Sequence, residues 1–343
     1  MSASMVRMRI ALVSHEASMG HDTGYGHPER PARVPAVLAG VRSAGHPVVE
    51  LAAAAASMET LTMIHSEAYV EALHRFCAGG GGHLDPDTVA GEASWEAALR
   101  SAGAGLTAIE ALEAGVADLG FVAMRPPGHH ALAGRAMGFC LFNNVAIAAR
   151  WLIGRGHRVA IFDWDVHHGN GTQELFFEDP SVLYLSMHEF PAYPGTGWYT
   201  EVGTGPGMGF TINVPWPTGT TGAGYRHLTD TVLVPVLRRF RPDWLLVSAG
   251  YDAHRADPLA GIALVAEDYR FMAGRLATVV PAGRTAVFLE GGYDLDALRT
   301  SASATVDGFG AGSDDEETPP PPPGVAGVIA AAVAGTTARS WDL

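Results

Sequence analysis

A ten-residue stretch, 162–171 (FDWDVHHGNG), constrains the fold and the chemistry of this chain more than any other. It follows the apolar run 159–161, which predicts a buried strand of a parallel sheet. Alternate residues of an extended strand share a face, so Asp163, Asp165 and His167 are expected to project to one side. Two carboxylates and an imidazole are unfavourable together there unless a cation lies between them. A solvated acidic turn is the alternative, and donors elsewhere in the chain decide between the two.

The available donor types limit which metal could bind. Oxygen and nitrogen donors without thiolates suit Zn²⁺, Fe²⁺, Mn²⁺ or Co²⁺. The chain has two cysteines, Cys77 and Cys140, which are too few for a thiolate zinc site or a disulfide framework. Asp252 follows the apolar run 245–247 and is the natural third ligand, although an Asp at a strand end is alone more often a helix N-cap. Three protein ligands leave room for a water and a substrate oxygen.

Two adjacent histidines, His129 and His130, follow a Pro-Pro-Gly turn that would let both face one reacting water. A pair of surface histidines is the alternative. Asp163 and Asn170 are the candidate partners that would fix their tautomers. Pairing with Asp163 would hold one histidine cationic, whereas pairing with Asn170 would leave the other near its unperturbed pKa. Tyr293, after Gly-Gly, could donate its hydroxyl to an oxyanion.

Alternating strand-like and helix-like segments predict a mostly parallel sheet with helices on both faces. Helices are expected at 94–114, 144–154 and 225–240, the first with Ser94 as N-cap and Gly115 at its end. Strands are expected at residues 9–14, 121–124, 158–163, 182–187, 210–214, 244–248 and 285–289. Open α/β sheets bind ligands outside the carboxyl ends of their strands. The polar clusters that follow strands are therefore expected to form one site, at residues 125–130, 163–170, 251–257 and 290–294.

Length and composition favour one large α/β domain over residues 1–343, with two smaller domains as the alternative. The 343 residues are 48% hydrophobic, and 42 glycines and 22 prolines favour long, shaped loops over a helical bundle. The acidic, proline-rich segment 312–323 is expected to be a solvated linker before a docking segment, 324–343. No signal peptide or membrane span is recognisable, so we expect a cytoplasmic protein with no membrane partner.

The net charge of the chain limits the kinds of partner that it is expected to bind. A net charge of −14 argues against nucleic acid and weakly favours cationic substrates or products. All 22 basic residues are arginine. The protein therefore has no lysine side chain of its own to be acylated.

Taken together, these motifs resemble the zinc-dependent histone deacetylase family, in its class II and bacterial amidohydrolase branch. The resemblance extends over roughly residues 8–310 and depends on segments 126–131, 138–144, 162–173, 186–188, 194–197, 248–258 and 290–294. It implies the arginase–deacetylase fold, a three-layer α/β/α domain around an eight-stranded, mostly parallel sheet.

The resemblance also implies roles for individual residues. Zinc, with Fe²⁺ as the alternative, would be bound by Asp165, His167 and Asp252. Catalytic roles would fall to His129 bonded to Asp163, His130 as general base and acid bonded to Asn170, and Tyr293 as oxyanion donor. A structural K⁺ would use Asp163, Asp165, His167, Ser186 and Met187, and a second monovalent site would lie near Phe176, Asp179 and Val182. Substrate contacts would come from Asp87, Gly138, Phe139, Leu259 and Tyr193, which stands where Phe is common.

The implied reaction is the removal of acetyl or other acyl groups from acyl-lysine in proteins or peptides. An acetylpolyamine or another small N-acyl amine is the alternative substrate. Family members that prefer polyamines have an acidic gatekeeper shortly after the third metal ligand, where this chain has the apolar Leu259, although Asp257 is near. A binuclear ureohydrolase would need a second set of metal ligands, which this chain lacks. A non-catalytic scaffold would not need Tyr293 and both histidines. The oligomeric state stays open. The loop 16–33 is expected at the rim, with His21 facing substrate or solvent, and Arg33 beside an internal acetate exit.

Overall fold

An eight-stranded parallel sheet forms the centre of the computed structural model, which describes residues 7–312 and 317–342. The strands of this sheet and of a small hairpin (β3 and β4) are β1 Ile10–Ser14, β2 Val48–Ala52, β3 Gly82–His83, β4 Val89–Ala90, β5 Leu119–Val122, β6 Val159–Asp163, β7 Val182–Glu189, β8 Thr211–Trp216, β9 Trp244–Ala249 and β10 Thr285–Leu289. The large sheet has the order β2-β1-β5-β10-β9-β6-β7-β8, and all its neighbours pair in parallel. This topology confirms the predicted fold class.

Helices cover both faces of the sheet and create three layers. They are α1 Ala17–Gly20, α2 Arg33–Ser43, α3 Met58–Thr62, α4 Glu67–Ala78, α5 Ser94–Glu113, α6 Asn144–Ile153, α7 Asn170–Phe176, α8 Gly222–Leu228, α9 Val234–Phe240, α10 Ala266–Leu276, α11 Leu295–Ala311 and α12 Gly324–Thr337. Alternate residues of β1 enter opposite cores: Ile10 and Leu12 belong to the core that includes side chains of α2, α10 and α11, whereas Ala11 and Val13 belong to the core that includes side chains of α5 and α6. Burial on both faces explains why these strands are continuous apolar runs in the sequence.

The strand order determines which loops meet. The four polar clusters of the sequence follow β5, β6, β9 and β10, and these four strands are consecutive in the sheet as β5-β10-β9-β6. In a parallel sheet their carboxyl ends lie along the same edge. Asp163, the last residue of β6, is in register with Ser248 on β9 and with Ser186 on β7. Loops that are distant in sequence therefore come together at the middle of this edge.

Three of the differences from the sequence-based predictions have a local physical reason. The predicted strands do not include β2, an edge strand whose residues are partly exposed and therefore lack a continuous apolar pattern. The predicted helix 225–240 is divided into α8 and α9 by a π-helical turn, Thr229–Leu233, just before Pro235, which has no N–H to continue the α-helical pattern. Ser94 begins α5 instead of capping it, because its Oγ accepts the N–H of Gly91 at 2.8 Å.

The C-terminal helix α12 packs against the edge strand β8 and α8. Its buried side chains, Ile329, Ala330 and Val333, belong to one of the two cores, and Trp341 Nε1 donates to the carbonyl of Gly209 at 2.9 Å. Most of the acidic run before it, 313–316, lies outside the described residues. No helix in the described part of the chain combines the length and the apolar character needed to cross a bilayer.

Candidate active site

The end of β6 places three polar side chains on one side of the backbone. Trp164 and Val166 are fully buried in the core, so the alternation of an extended chain directs Asp163, Asp165 and His167 to the other side. Backbone N–H groups hold the two carboxylates in place. Asp163 Oδ1 accepts from the N–H of Asp165 at 3.1 Å, and Asp165 Oδ1 accepts from that of His167 at 2.9 Å. The stretch thus preorganises its own donors.

Asp252, in the loop after β9, completes a set of three donors. Its Oδ1 accepts the N–H of Val166 at 2.9 Å, and its Oδ2 lies 3.1 Å from His167 Nδ1. Asp165 Oδ1 lies 3.3 Å from the same nitrogen, and one donor atom from each residue lies within 4.8 Å of the other two. Two ligand atoms of a tetrahedral zinc ion, each at about 2.0–2.1 Å from it, are about 3.4 Å apart. The spacing of the three donors therefore fits one divalent cation.

The electrostatics of this set also favour a positive charge between the donors. Burial, and then the charge of Asp165, raise the pKa of Asp252. Burial alone would lower the pKa of His167, but its contacts with Asp165 and Asp252 raise it to about 10. Both shifts show that this donor set favours a positive charge, whether a proton or a bound cation. Gly250 leaves the necessary room, because a Cβ at that position would lie 2.0 Å from Asp165 Oδ2.

His129 lies behind the donor set and pairs with Asp163. Its Nδ1 is 3.1 Å from Asp163 Oδ2, which also accepts the hydroxyl of Tyr184 at 3.1 Å. Its Nε2 is 3.8 Å from Asp165 Oδ1. Although burial lowers the pKa of His129, the charges of Asp165 and Asp163 outweigh it and raise that pKa to about 10. His129 is therefore cationic near neutral pH.

His130 has a neutral partner and, unlike His129, is itself uncharged. His130 Nδ1 is 2.8 Å from Asn170 Oδ1, and Asn170 Nδ2 donates to Met137 Sδ at 3.4 Å. Because Asn170 presents its oxygen to His130, Nδ1 of His130 carries the proton and its Nε2 is the acceptor that faces the cavity. Burial, followed by the charge of His129, lowers the pKa of His130 well below its ordinary value. The amide partner alone predicts an unperturbed pKa, and the difference arises because the ring is buried beside the cationic His129. His130 is thus neutral and able to accept a proton at pH 7.

Tyr293 stands in the wall of the same cavity, after β10. Its ring makes an edge contact with Phe139 at 6.0 Å between centroids, and the guanidinium of Arg33 lies 5.0 Å from its centroid. Arg33 Nε donates to the carbonyl of Gly292 at 2.6 Å, and its Nη2 donates to that of Glu290. Burial raises the pKa of Tyr293, so the phenol stays protonated and can donate a hydrogen bond.

A cavity of about 220 Å³ opens onto His129, His130, His167 and Tyr293. The five residues expected to contact the substrate all line it, namely Asp87, Gly138, Phe139, Tyr193 and Leu259. Phe139 has φ = +67°, a conformation that residues with side chains seldom adopt. Its N–H donates to Thr88 Oγ1 at 3.1 Å, and that hydroxyl donates to Asp87 Oδ1 at 3.0 Å. The rim carboxylate and the aromatic wall are therefore linked through Thr88, which sequence reasoning misses.

A buried charged cluster beneath the site is also absent from the sequence-based predictions. Glu29, Arg33 and Arg125 are fully buried, and Glu29 accepts from Arg33 Nη1 at 2.9 Å and from Arg125 Nη2 at 2.6 Å. Arg125 precedes the Pro-Pro-Gly-His-His turn, and Arg33 contacts the Tyr293 loop. Glu290 supports the same turn, because its Oε2 accepts the N–H groups of Gly128 at 2.7 Å and His129 at 3.1 Å. Isolated charged residues show no pattern in the sequence that could reveal such contacts.

His21 differs from its expected place at the rim. It is fully buried, with Nδ1 2.7 Å from Ser94 Oγ, and it faces neither the cavity nor solvent.

The residues expected to bind potassium are neighbours: Ser186 is in register with Asp163, and its Oγ bonds His188 Nδ1 at 2.9 Å. At the second expected monovalent site, the carbonyls of Phe176 and Asp179 accept N–H groups of the following turn. Both potassium sites stay predictions.

Comparisons with known proteins agree with this geometry. A sequence model described as "Histone deacetylase domain" matches residues 27–309. A "Probable deacetylase" of Archaeoglobus fulgidus is 39% identical over 297 residues, which are 84% of this chain and 82% of that protein. "Histone deacetylase 10, chloroplastic" of Oryza sativa subsp. japonica is 39% identical over 321 residues, with 85% of this chain and 71% of that protein covered. The "Crystal Structure of HDA15 HD domain" superposes with a TM-score of 0.89 and 35% identity, covering 98% of this chain and 96% of that chain.

This chain therefore belongs to the histone deacetylase family. It is a hydrolytic deacetylase with the arginase–deacetylase fold, and the family, fold and enzyme class predicted from the sequence are confirmed.

Proposed function

We propose that this protein is a zinc-dependent amidohydrolase that removes acetyl or other acyl groups from the side-chain amine of acyl-lysine in peptides or proteins. The observation that carries the proposal is the cavity, which has aromatic walls (Phe139 and Tyr193), an apolar rim residue (Leu259) and His130 and His167 among its lining residues. An extended, uncharged acyl-lysine side chain matches such a lining, because the apolar walls favour its methylenes, while the polar groups of the cavity lie at the reacting end and, with Asp87, at the rim.

Asp165, His167 and Asp252 would hold the metal ion. A divalent ion bound there supplies Lewis-acid chemistry, since it polarises a carbonyl and lowers the pKa of a water. Zn²⁺ is the proposed ion, and Fe²⁺ accepts the same donor types. Asp163 Oδ2 contacts His129 Nδ1, so we propose that Asp163 keeps His129 cationic beside the reacting groups.

The remaining steps are proton transfers and charge stabilisation by the side chains. His130, neutral and held through Nδ1 by Asn170, would take a proton on Nε2 from the attacking water. The hydroxyl of Tyr293 would donate to the carbonyl oxygen as negative charge develops on it. When the C–N bond breaks, His130 would return its proton to the leaving amine. The products are then the free lysine amine and the carboxylic acid.

The rim favours acyl-lysine over an acetylpolyamine. Leu259 is 42% exposed at the rim and offers no charge to a free cationic amine. Asp257, the nearby carboxylate, is only 7% exposed and is directed inward, where both of its oxygens accept backbone N–H groups. Asp87 also lines the cavity, and its carboxylate could accept backbone N–H groups, which a peptide has and a polyamine lacks.

Substrate and mechanism can be tested in one set of assays. The zinc-loaded enzyme should hydrolyse an acetyl-lysine peptide with a kcat/KM at least about tenfold above that for an N-acetylated polyamine, and chelation should stop both reactions. Tyr293→Phe should retain zinc and lose about 10²–10³ in kcat. Leu259→Glu, a rim variant, should shift the preference toward the polyamine. A higher kcat/KM for the polyamine would make the alternative substrate correct, and activity that survives chelation would refute the metal mechanism.

We further propose that a structural K⁺ is bound near Asp163 and Ser186, and that residues 1–343 form one domain. Packing of α12 against β8 supports the second proposal. The cytoplasmic location stays a prediction from the sequence.

A further inference from the structure

We propose that Asp257 is a positioning residue, which holds the loop of Tyr293 so that the phenol points at the reacting carbonyl. This role depends on the proposed function, in which Tyr293 stabilises the oxyanion. Asp257 is neither one of the three donors that fit a metal ion nor a residue that lines the cavity. It would therefore act on the reaction only through the residues that it binds.

The carboxylate of Asp257 joins two loops through three backbone N–H groups. Its Oδ2 accepts from Tyr293 at 2.6 Å and from Asp294 at 3.4 Å. Its Oδ1 accepts from Leu259 at 3.0 Å. One buried side chain thus sets the position of the proposed oxyanion donor and that of the rim residue together.

The Tyr293 loop needs such an anchor because two glycines precede the tyrosine. Gly292 has φ = +110°, which glycine adopts freely, so the backbone itself does not restrict the loop to one conformation. Each residue of the tripeptide instead has its own external partner. Gly291 N–H donates to Asp165 Oδ2 at 2.7 Å, the Gly292 carbonyl accepts from Arg33 at 2.6 Å, and Tyr293 N–H donates to Asp257.

Arg33 and Asp257 hold the two sides of the peptide unit that joins Gly292 to Tyr293, and of the three partners only Asp257 accepts a hydrogen bond from Tyr293 itself. Loss of that contact would leave this peptide unit held only through its carbonyl, so that the tyrosine could shift relative to the donor set while Asp165 still holds Gly291. A displacement of about 1 Å of a catalytic group can cost on the order of 10² in rate. Asparagine at 257 has nearly the same shape but one acceptor oxygen, so it cannot accept from both Tyr293 and Leu259.

A double-mutant cycle separates positioning from a general structural effect. Asp257→Asn should lower kcat for an acetyl-lysine peptide about 10- to 100-fold, with KM changed less than about threefold and zinc content unchanged. In a Tyr293→Phe background the same substitution should lower kcat by less than about threefold, because the hydroxyl that it positions is already absent. Asp257→Glu, which displaces the carboxylate by one methylene, should behave in the same way and serves as the second variant if Asp257→Asn does not fold.

Asp294→Asn is the matched control, since it removes a carboxylate next to Tyr293 but keeps the oxygen that caps α11 through Ala297 N–H at 2.8 Å. Its kcat should stay within about twofold of wild type, because the N-cap interaction is kept. The positioning role is overturned if Asp257→Asn keeps wild-type kcat, loses zinc, or costs the same factor in both backgrounds. Those results, obtained with an active wild type, leave the proposed function intact. A zinc-loaded wild type that does not hydrolyse the peptide would overturn the proposed function and this role with it.

Discussion

Replacing Glu29 by glutamine should destabilise the protein in a way that depends on pH. Glu29 is fully buried between Arg125 and Arg33, which hold its carboxylate ionised. Burial would raise the pKa of Glu29, but the two guanidinium groups outweigh it and lower this pKa from 4.5 to about 2. At roughly 1.4 kcal/mol per pH unit, this difference contributes about 3 kcal/mol to the free energy of unfolding at pH 7.

The direction of this pH dependence follows from the lowered pKa of Glu29. The contribution of Glu29 is complete above pH 4.5, and it is lost as the pH falls toward 2, with about 2 kcal/mol lost by pH 3. Glu29→Gln also leaves two buried guanidinium groups without their anion, so we expect a loss of about 3–5 kcal/mol at pH 7. The difference between wild type and variant should then shrink by about 2 kcal/mol between pH 7 and pH 3, because the wild type loses this contribution and the variant has none to lose.

Urea unfolding followed by tryptophan fluorescence at a series of pH values measures this difference. Glu71→Gln is the control, because it removes a carboxylate that pairs with Arg75 at 3.2 Å on the surface, where both side chains are more than half exposed. That variant should change the free energy of unfolding by less than about 1 kcal/mol at every pH. A Glu29→Gln variant as stable as the control at pH 7, or a difference that does not change with pH, would refute the reasoning.

Three further predictions concern the active site. Zinc binding to the metal-free protein should release about one proton near pH 7–8, because the pKa of His167 is about 10 without metal. Calorimetry in buffers of different ionisation enthalpy measures this release. If no proton is released, His167 is not protonated in the metal-free protein. Asn170→Ala should lower kcat about 10- to 100-fold, since it removes the acceptor of His130 Nδ1–H. Asn170→Asp should instead raise the pKa of His130 and move the acidic limb of the pH–rate profile upward, and an unchanged limb would exclude His130 as the base.

The sequence alone determines the local features of this protein. Strand-end alternation around Asp165 and His167, the Pro-Pro-Gly turn before the two histidines and the Gly-Gly before Tyr293 depend on residues within a few positions of one another. Their periodicity and donor types are therefore visible in the chain itself. The motifs together were also sufficient to indicate the family, the fold class and the hydrolytic chemistry.

Only the tertiary structure decided which of these features meet and how they are charged. The strands β5, β10, β9 and β6 are neighbours in the sheet but not in the sequence, and this order brings Asp252 within reach of His167. The low pKa of His130 and the inward direction of Asp257 depend on burial and on charges of distant segments. Burial and the distance to a charge are properties of packing between segments far apart in the chain, which is why no local pattern reports them.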